Sequence, residues 1–467
     1  MSKLFNFSPF LKNIAVVTDK GESLTYNELN SNCNELASFL DKDKLILCLC
    51  DNVMGVLIGY VSFIRKGVPV IMVDGSKDLE MLNDLSAIFK PNYIWLPMKR
   101  LQEFGDYEVV CSMYDYVLIT YHDEKHELFD ELALMLLTSG STGSPKLVKL
   151  TKKNIFSNAA SIAEYLNIDE NERPITSLPI HYSFGLSIIN SHLLKGATIL
   201  LTNKSIAQKE FWSFAKEQNT TSLSGVPYTY EMLKRLRFFR MTLPSIITLT
   251  QAGGKLSANL VQEYVDFAHQ SGRQFIVMYG QTEATARMSY LPFDQAKEKY
   301  KSVGIAIPGG TLSLRDVNGN IIEESDIDGE LIYKGDNVSL GYAECLLDLR
   351  IGDENKGMLQ TGDIARRDSD GFYYITGRLK RFIKIYGNRV SLDHSEQIVK
   401  TITPNCACVG KDDKMVVYVS DASLCKEVRD LLSNKTGLNY QAFEVRSIEE
   451  IPKNSSGKVR YSQLNNE

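Results

Sequence analysis

The chain has 467 residues, of which 44% are apolar and 23% charged, and its net charge is −5. This length exceeds what one compact core usually supports, so we expect two or more domains. The composition excludes wholesale disorder, and the small negative charge gives no support for nucleic acid or an anionic membrane as a partner, because both usually select a concentrated basic surface.

The first part of the chain alternates helical and strand-like segments. Helical spacing is found at 26–40, 53–66 and 157–166, and short apolar runs typical of buried strands at 45–50, 68–73 and 132–137. Thr25 and Glu28 form a capping box at the first helix, and Gly67 gives the second helix its C-terminal stop. The alternation predicts the α/β class, with a large N-terminal domain of doubly wound, mainly parallel sheets.

From about residue 300 the pattern changes to short β segments between glycine turns. These segments are 312–315, 329–333 and 371–375, and Asn318-Gly319 is a hairpin signal. We expect a small β-rich subdomain or β-barrel at about 300–377. After Gly377 a basic stretch opens a compact α+β tail, so the expected domains are 1–377 and 378–467.

The eight cysteines do not predict a metal site. Cys48 and Cys50, like Cys406 and Cys408, are separated by one residue, which is not the spacing of a zinc knuckle, so reduced and mostly buried thiols are expected. Residues 1–10 lack the pattern of a signal peptide, and the apolar stretch 53–73 is interrupted by Arg65-Lys66. We therefore expect no membrane span and a cytoplasmic location.

A glycine-rich loop, Leu-Thr-Ser-Gly-Ser-Thr-Gly-Ser-Pro-Lys at 137–146, directly follows the strand predicted at 132–137. Its glycines permit a tight turn whose backbone N–H groups converge on an anion, and the hydroxyl groups and Lys146 add donors and positive charge. The loop is not a Walker P-loop, because Ser144-Pro145 separates Gly143 from Lys146, and it is not a dinucleotide fingerprint. It predicts a site for the β- and γ-phosphates of a nucleotide.

This loop resembles the phosphate-binding motif of the adenylate-forming superfamily, which includes acyl-CoA synthetases, luciferases and the adenylation domains of peptide synthetases. The resemblance implies that Thr142 is catalytic and that the nucleotide is bound by the loop residues Thr138, Ser139, Gly140, Ser141, Thr142, Gly143 and Lys146.

A second motif, Tyr279-Gly280-Gln281-Thr282-Glu283, matches the superfamily's Tyr-Gly-x-Thr-Glu signature. The resemblance implies that Tyr279 stacks on adenine, that Thr282 contacts the α-phosphate and that Glu283 binds Mg²⁺, with Gly280 and Gln281 also at the nucleotide. A carboxylate beside phosphates makes chemical sense when a cation lies between them. Taken alone, the pentapeptide is also compatible with an ordinary strand-to-loop turn.

Two further segments resemble nucleotide-binding motifs of the superfamily. The first contains Gly253, Gly254 and Lys255, and resembles the loop beside the adenine, although a plain turn is the alternative. The second, Gln-Thr-Gly-Asp at 360–363, implies that Asp363 accepts hydrogen bonds from both ribose hydroxyls, a role that suits an ionised carboxylate.

The last two motifs lie in the tail. Residues 377–387 resemble the superfamily's hinge, which implies that Arg378 contacts the nucleotide, that Lys380 is the hinge and that Gly387 lines a pantetheine tunnel; a solvated basic turn is the alternative. Residues 451–460 match the closing motif, whose lysine, Lys458 here, is catalytic and reaches into the nucleotide site. The motifs stand in the superfamily's order, which implies that the tail is a small mobile lid.

The implied reaction is that of an acid–thiol ligase (AMP-forming). ATP and Mg²⁺ would convert a small-molecule carboxylic acid to an acyl-adenylate with release of pyrophosphate. The acyl group would then pass to a phosphopantetheine thiol, either that of coenzyme A or that of a separate carrier protein. The short tail slightly favours the carrier protein.

The residues that line the substrate pocket are harder to predict from the sequence. Residues 178–186 resemble a pocket segment of acyl-CoA synthetases, but Tyr182 stands where those enzymes usually have a histidine, and His181 comes one place earlier. We expect Tyr182, Phe184 and Gly225 to line the pocket. Arg287 either pairs with a second substrate carboxylate or with phosphopantetheine, or is an ordinary surface arginine.

Two rival functions stay open at this point. The first is an amino-acid ligase of the same fold, for example one that loads D-alanine on a carrier protein; the absence of Asp between Glu172 and Lys204 disfavours it. The second is a catalytically silent nucleotide-binding protein. Retention of Glu283, Asp363 and Lys458 argues against this rival, because binding alone does not need the closing lysine.

Overall fold

The computed structural model describes residues 4–105, 107–138, 146–386, 388–411, 413–453 and 459–464. Within these ranges the helices are α1 (Tyr26–Ser38), α2 (Met54–Lys66), α3 (Leu79–Phe89), α4 (Lys152–Tyr165), α5 (Ser183–Leu194), α6 (Lys209–Glu217), α7 (Pro227–Arg235), α8 (Ala258–Gln270), α9 (Ala296–Lys299), α10 (Leu392–Val399), α11 (Cys425–Thr436) and α12 (Tyr461–Leu464).

The strands of the same ranges are β1 (Ile14–Thr18), β2 (Ser23–Thr25), β3 (Ile46–Cys50), β4 (Val70–Asp74), β5 (Tyr93–Pro97), β6 (Val109–Met113), β7 (Tyr116–Thr120), β8 (Leu132–Thr138), β9 (Lys146–Thr151), β10 (Pro174–Ile175), β11 (Ile199–Leu201), β12 (Ser222–Gly225), β13 (Thr248–Gln251), β14 (Gln274–Tyr279), β15 (Ser289–Tyr290), β16 (Ile305–Ala306), β17 (Thr311–Arg315), β18 (Ile321–Ile322), β19 (Gly329–Lys334), β20 (Gly341–Ala343), β21 (Met358–Arg367), β22 (Tyr373–Arg378), β23 (Phe382–Ile385), β24 (Asn388–Ser391), β25 (Cys406–Lys411), β26 (Lys414–Val419) and β27 (Phe443–Ser447).

Local end signals set several helix boundaries. At α1 the Thr25 side chain accepts from the Glu28 N–H and the Glu28 carboxylate accepts from the Thr25 N–H, as the capping box predicts. Helix α2 ends at Gly67, which has a φ of +83°. Helix α4 begins at Lys152, five residues before the predicted start, because Thr151 and Asn154 form a second capping box that uses asparagine in place of glutamate.

Two large sheets form the N-terminal part. In the first, the strand order is β16-β15-β14-β13-β12-β10-β11-β1-β2, and in the second it is β20-β9-β8-β4-β3-β5-β7-β6. Strands β10 to β14 are mutually parallel along the first sheet, and β3 is parallel to β4 and β5 in the second. Helices α2 and α5, buried along almost their whole length, belong to an apolar core with residues of both sheets. The predicted α/β class, with a large N-terminal part built on several sheets, is confirmed.

The motifs of the sequence follow the carboxyl ends of parallel strands. In the first sheet, β12 ends at Gly225, β13 at Gln251 and β14 at Tyr279; in the second, β8 ends at Thr138. Ligands of open α/β sheets bind at these ends, because the loops that leave neighbouring strands meet there. The topology therefore brings together segments that are more than a hundred residues apart in the chain.

The β-rich segment forms a sheet with the order β18-β17-β19-β21-β22. Its neighbours are antiparallel, and Asp363 on β21 is paired with Arg378 on β22. In the described residues the two edge strands, β18 and β22, are not paired with each other, so the expected barrel is an open sheet.

The tail has its own apolar core. The sheet β25-β26-β27, the hairpin β23-β24 and helices α10 and α11 surround buried side chains that all come from residue 383 onward. This arrangement is the expected compact α+β unit. The boundary at 377/378 and the mobility of the tail stay predictions.

The remaining expectations concern thiols and membranes. All eight cysteines lie in the described part of the chain and are free thiols, five of them buried. Among the described residues, no helix combines the length and the apolar character that a membrane crossing requires.

Candidate active site

Two side-chain contacts hold the turn that follows β14, one from helix α5 and one from the second sheet. Ser183, at the start of α5, has its hydroxyl 3.0 Å from the hydroxyl of Thr282, just beyond β14. Tyr342 on β20 of the second sheet donates to Glu283 Oε1 at 2.7 Å. These two contacts place Thr282 and Glu283 in the cleft between the sheets.

A hydrogen-bonded cluster centres on Asp363, which is 2% exposed. The Tyr279 hydroxyl donates to Asp363 Oδ2 at 2.5 Å and the Gln281 amide to the same oxygen at 3.0 Å, while Arg378 Nε lies 2.9 Å from Oδ1. Desolvation, with the adjacent Asp363 carboxylate as the next cause, raises the pKa of Tyr279 well above its ordinary value. The phenol therefore remains a neutral donor that fixes the carboxylate.

Gly280 is required by a close backbone approach. A Cβ at this position would lie 1.8 Å from the carbonyl oxygen of Ala286. The turn after β14 folds back on itself, with Thr285 at a φ of +66° and its hydroxyl bonded to the Asn337 carbonyl at 2.7 Å. This tight return holds Thr282 and Glu283 at the mouth of the cleft.

The described end of the glycine-rich loop joins the same cluster. Lys146 Nζ lies 3.0 Å from Glu344 Oε1 and 4.0 Å from the centre of the Tyr342 ring. Because the Tyr342 hydroxyl bonds Glu283, a chain of contacts connects Lys146 to Glu283. A cation and a carboxylate thus flank one tyrosine where the phosphates are expected.

The donor set fits Mg²⁺ only when phosphate oxygens complete it. Glu283 is the carboxylate beside Thr282, and among the described residues no group of three or more His, Cys, Asp or Glu side chains could hold a metal ion. Magnesium usually takes one or two carboxylates together with substrate phosphates and water. A single protein carboxylate is therefore compatible with Mg²⁺ that arrives with ATP.

The glycines beside the expected adenine face other groups of the cleft. Gly253 has a φ of +81°, and a Cβ there would lie 2.6 Å from the Tyr182 hydroxyl; one at Gly254 would lie 3.1 Å from Pro227. Lys255 is exposed at the end of this loop. Tyr182 thus lines the cleft next to the glycine loop.

The other two predicted pocket residues differ in position. Phe184 is buried in an apolar cluster that includes Val226 and Met278. For Gly225, the atoms nearest a hypothetical Cβ belong to Thr229 and Tyr230, the closest at 2.6 Å. The missing side chain of Gly225 therefore serves the packing of α7 against β12.

Arg287 is not a surface residue. Its side chain is fully buried, 1% exposed, and its guanidinium carbon lies 4.2 Å from the centre of the Phe184 ring. The sequence alternative of an exposed arginine is therefore wrong. His181 is partly buried, and burial lowers the pKa of its imidazole.

Several predicted site residues cannot be placed. Ser139, Gly140, Ser141, Thr142, Gly143, Gly387 and Lys458 lie outside the described residues. Thr138 ends β8 and Lys380 lies in the turn after β22, but their side chains are not among those described.

Sequence reasoning missed Ser183, Tyr342 and Glu344. Gly341-Tyr342 resembles a segment of the superfamily to which the sequence gives a structural role, not a catalytic one. Ser183 has no sequence signal beyond its place at the start of a helix. Their partners are 99 residues away for Ser183 and 59 for Tyr342, distances over which a single sequence gives no pairing information.

Comparisons with known proteins identify relatives in sequence and in fold. The sequence profile described as "AMP-binding enzyme" matches residues 9–343. The 2-succinylbenzoate–CoA ligase of Staphylococcus epidermidis is 25% identical over 97% of this chain and 95% of its own, and the sulfoacetate–CoA ligase of Cupriavidus necator is 27% identical over 72% of this chain and 67% of its own. The O-succinylbenzoate coenzyme A synthetase of Bacillus subtilis, solved in complex with AMP, superimposes with a TM-score of 0.78 at 21% identity over 99% of this chain and 97% of that one.

Proposed function

The chain belongs to the AMP-binding enzyme family, and from that premise we propose that it activates a small-molecule carboxylic acid with ATP and transfers the acyl group to the thiol of coenzyme A. The resemblance to the adenylate-forming superfamily is thereby confirmed, as is the class of AMP-forming acid–thiol ligase. The observation that carries the proposal is the cluster in which Tyr279, Gln281 and Arg378 converge on the buried carboxylate of Asp363.

We assign the nucleoside of ATP to this cluster. A carboxylate has about four lone-pair positions, and three donors occupy Asp363, so a ribose hydroxyl can add to or replace one of them. Tyr279 then offers its ring to the adenine from the end of β14, and the backbone of the Gly253-Gly254 loop is proposed to lie on the other side of the base. Arg378 adds positive charge at the same edge.

The chemical step needs alignment and charge neutralisation. The acid is ionised at neutral pH and attacks the α-phosphorus directly, so no protein base or nucleophile is required. The hydroxyls of Thr282 and Ser183 are placed to donate to the α-phosphate, and Lys146 to the departing pyrophosphate. When bound, Mg²⁺ neutralises charge on the phosphates, and Glu283 would be its protein ligand.

Two assignments rest on the family resemblance. Lys458 is proposed to bridge the acyl carboxylate and the α-phosphate during adenylation, and the tail is proposed to turn about Lys380 before transfer, with Gly387 beside the incoming thiol. The cytoplasmic location expected from the sequence stays a prediction.

Coenzyme A is preferred as the acceptor over a carrier protein. Both curated relatives described above are named as CoA ligases, and the first is matched over 95% of its length. The tail is therefore not short for a CoA ligase, and its length does not favour a carrier protein as the acceptor. The experiment below also tests the alternative function, an amino-acid ligase that loads a carrier protein.

The experiment is ATP–pyrophosphate exchange with a panel of fatty, aryl, dicarboxylic and amino acids, followed by transfer to coenzyme A or to a phosphopantetheinylated carrier. Lys458→Ala is expected to abolish exchange but leave transfer from a pre-made acyl-adenylate mostly intact. Lys453→Ala, an exposed lysine of the same segment, is the matched control. Survival of both half-reactions in Lys458→Ala would contradict its role, and ATP binding without exchange for any acid would favour the silent nucleotide-binding protein.

A further inference from the structure

Arg287 is a buried cation whose partners are all neutral. Nη1 donates to the Tyr165 hydroxyl at 3.3 Å and to the Met278 sulfur, and Nη2 donates to the Ser187 hydroxyl at 3.1 Å. Thioether sulfur is a weak acceptor. In the part of the chain that the structure describes, no carboxylate pairs with Arg287 and its Nε–H has no acceptor. Two of its five N–H groups are thus left without a partner.

This state is unusual for a charge that is 1% exposed. Buried charges are normally paired, because removal from water disfavours the ionised form, and arginine cannot escape by losing its proton. Lys149 is another buried cation of this structure, and it has an anionic partner. Its Nζ donates to the carbonyls of Asp348 and Ile351 at 3.0 Å and to the Glu354 carboxylate at 3.3 Å. Arg287 lacks any comparable anionic partner.

Helix α5 fixes the position of Arg287 relative to the reacting groups. Ser183 contacts Thr282, and Ser187, one turn further along the helix, contacts Arg287. One helical turn is about 6 Å, so the guanidinium lies roughly that much deeper than the expected α-phosphate. Burial raises the pKa of the Tyr182 phenol, and the positive charge of Arg287 opposes this rise. Tyr182 borders the glycine loop at Gly253.

The cavity beside Arg287 has both polar and apolar walls. The cavity is small, about 10 Å³, which is room for about one water molecule. Its lining combines Arg287 and the hydroxyl groups of Ser191, Ser222, Ser224, Thr248 and Thr250 with the apolar side chains of Ile162, Leu166, Ile168 and Ile188. Glu172 stands at another wall, where its carboxylate is bonded to Thr221. An alkyl chain in this place would leave the Arg287 cation without a charged partner, which a binding site for a fatty acid avoids.

We propose that Arg287 binds a second carboxylate of the acid substrate, so that the enzyme selects dicarboxylic acids whose carboxylates are separated by about one helical turn. The inference rests on the proposed function and names its substrate class. Arg287 would form a two-pronged ion pair through the N–H groups that now lack partners. The ammonium group of an α-amino acid, by contrast, would lie next to the activated carboxylate and face the same cation.

The test compares dicarboxylic acids, from malonate to suberate, with monocarboxylic acids of the same chain length in pyrophosphate exchange. We expect the wild-type kcat/KM to favour a diacid of intermediate length, with its carboxylates about one helical turn apart, over its monocarboxylic analogue by about 100-fold. Arg287→Met should lower kcat/KM for the diacid by about 100-fold and leave the monocarboxylic acid within about threefold. Arg287→Lys, which keeps the charge, should recover part of the selectivity and guards against a folding defect in the methionine variant.

Arg315 provides a matched control. It is only partly buried, its Nε also has no partner among the described residues, and its Nη2 contacts the sulfur of Met358 at 3.5 Å, but it lies on β17, away from α5. Arg315→Met should not change the ratio of diacid to monoacid. Equal losses on both acids in Arg287→Met, or a raised KM for coenzyme A with the acid unaffected, would overturn the proposal and leave the adenylation reaction standing.

A second readout does not depend on turnover. Binding of the preferred diacid, measured by calorimetry in the presence of ATP, should be lost in Arg287→Met and kept in Arg315→Met. If no acid supports exchange, the proposed function fails; diacid binding that requires Arg287 would still support the inference, and its absence in the wild type would overturn it.

Discussion

Replacement of Asp363 by asparagine removes one charge from the proposed nucleoside site with little change of shape. The carboxylate is 2% exposed and accepts from Tyr279, Gln281 and Arg378. A hydrogen bond to a charged acceptor contributes about 1.5–3 kcal/mol. If both ribose hydroxyls bind Asp363 and the amide keeps one acceptor, the loss is about 3 kcal/mol, which corresponds to a fall of about 100-fold in kcat/KM for ATP.

Pyrophosphate exchange as a function of ATP concentration measures this effect, and thermal unfolding measures the accompanying loss of stability. We expect a stability loss of about 1–3 kcal/mol, because the amide cannot satisfy both Tyr279 and Arg378. Asp368→Asn is the control, since Asp368 is also an ion-paired carboxylate of the β-rich segment, bonded to Lys299 and Tyr374 but outside the cleft. An unchanged kcat/KM for ATP in Asp363→Asn would refute the assignment of the nucleoside to this cluster.

Three further predictions follow from other contacts. Glu283→Gln should raise the Mg²⁺ concentration required for half-maximal exchange and lower kcat by about 100-fold, whereas Tyr342→Phe, which removes only the bond to Glu283, should cost less than about tenfold. Gly280→Ala should lower both the melting temperature and kcat/KM, because the added Cβ would lie 1.8 Å from a backbone oxygen. Gly319 has a φ of +86° and no atom within 4 Å of an added Cβ, so Gly319→Ala should show the cost of backbone strain alone. Burial lowers the pKa of His192 from 6.5 to about 4, so below pH 6.5 the unfolded chain takes up a proton that the native state does not. Stability should therefore fall by about 1.4 kcal/mol per pH unit between pH 6.5 and 4, and His192→Asn should lack this fall in denaturant titrations; an identical slope in the variant would contradict the buried, neutral imidazole.

The parts of the site that sequence could predict are local. Each nucleotide motif depends on a turn at the end of a strand, and the conformation of a turn is determined by adjacent residues. Gly280 is needed because the chain folds back against Ala286, and Gly253 is needed because its φ is positive. The same holds for the capping box at Thr25. The alternation of helical and strand-like segments was sufficient to predict the α/β class.

The parts that sequence could not predict depend on distant contacts. Tyr342 and Ser183 reach the site only because β20 and α5 bring them to the Thr282–Glu283 turn. The burial of Arg287 is decided by Phe184 and Ser187, a hundred residues earlier in the chain. Closure of the β-rich segment depends on whether its edge strands meet, which strand patterns alone do not determine.

The attack of the acid on the α-phosphorus is tested most directly by following oxygen. With the carboxylic acid labelled with ¹⁸O in its carboxyl group, we expect one labelled oxygen in the AMP released after acyl transfer to coenzyme A, and none in pyrophosphate. Label in inorganic phosphate, together with ADP in place of AMP, would show attack at the γ-phosphorus and contradict acyl-adenylate formation.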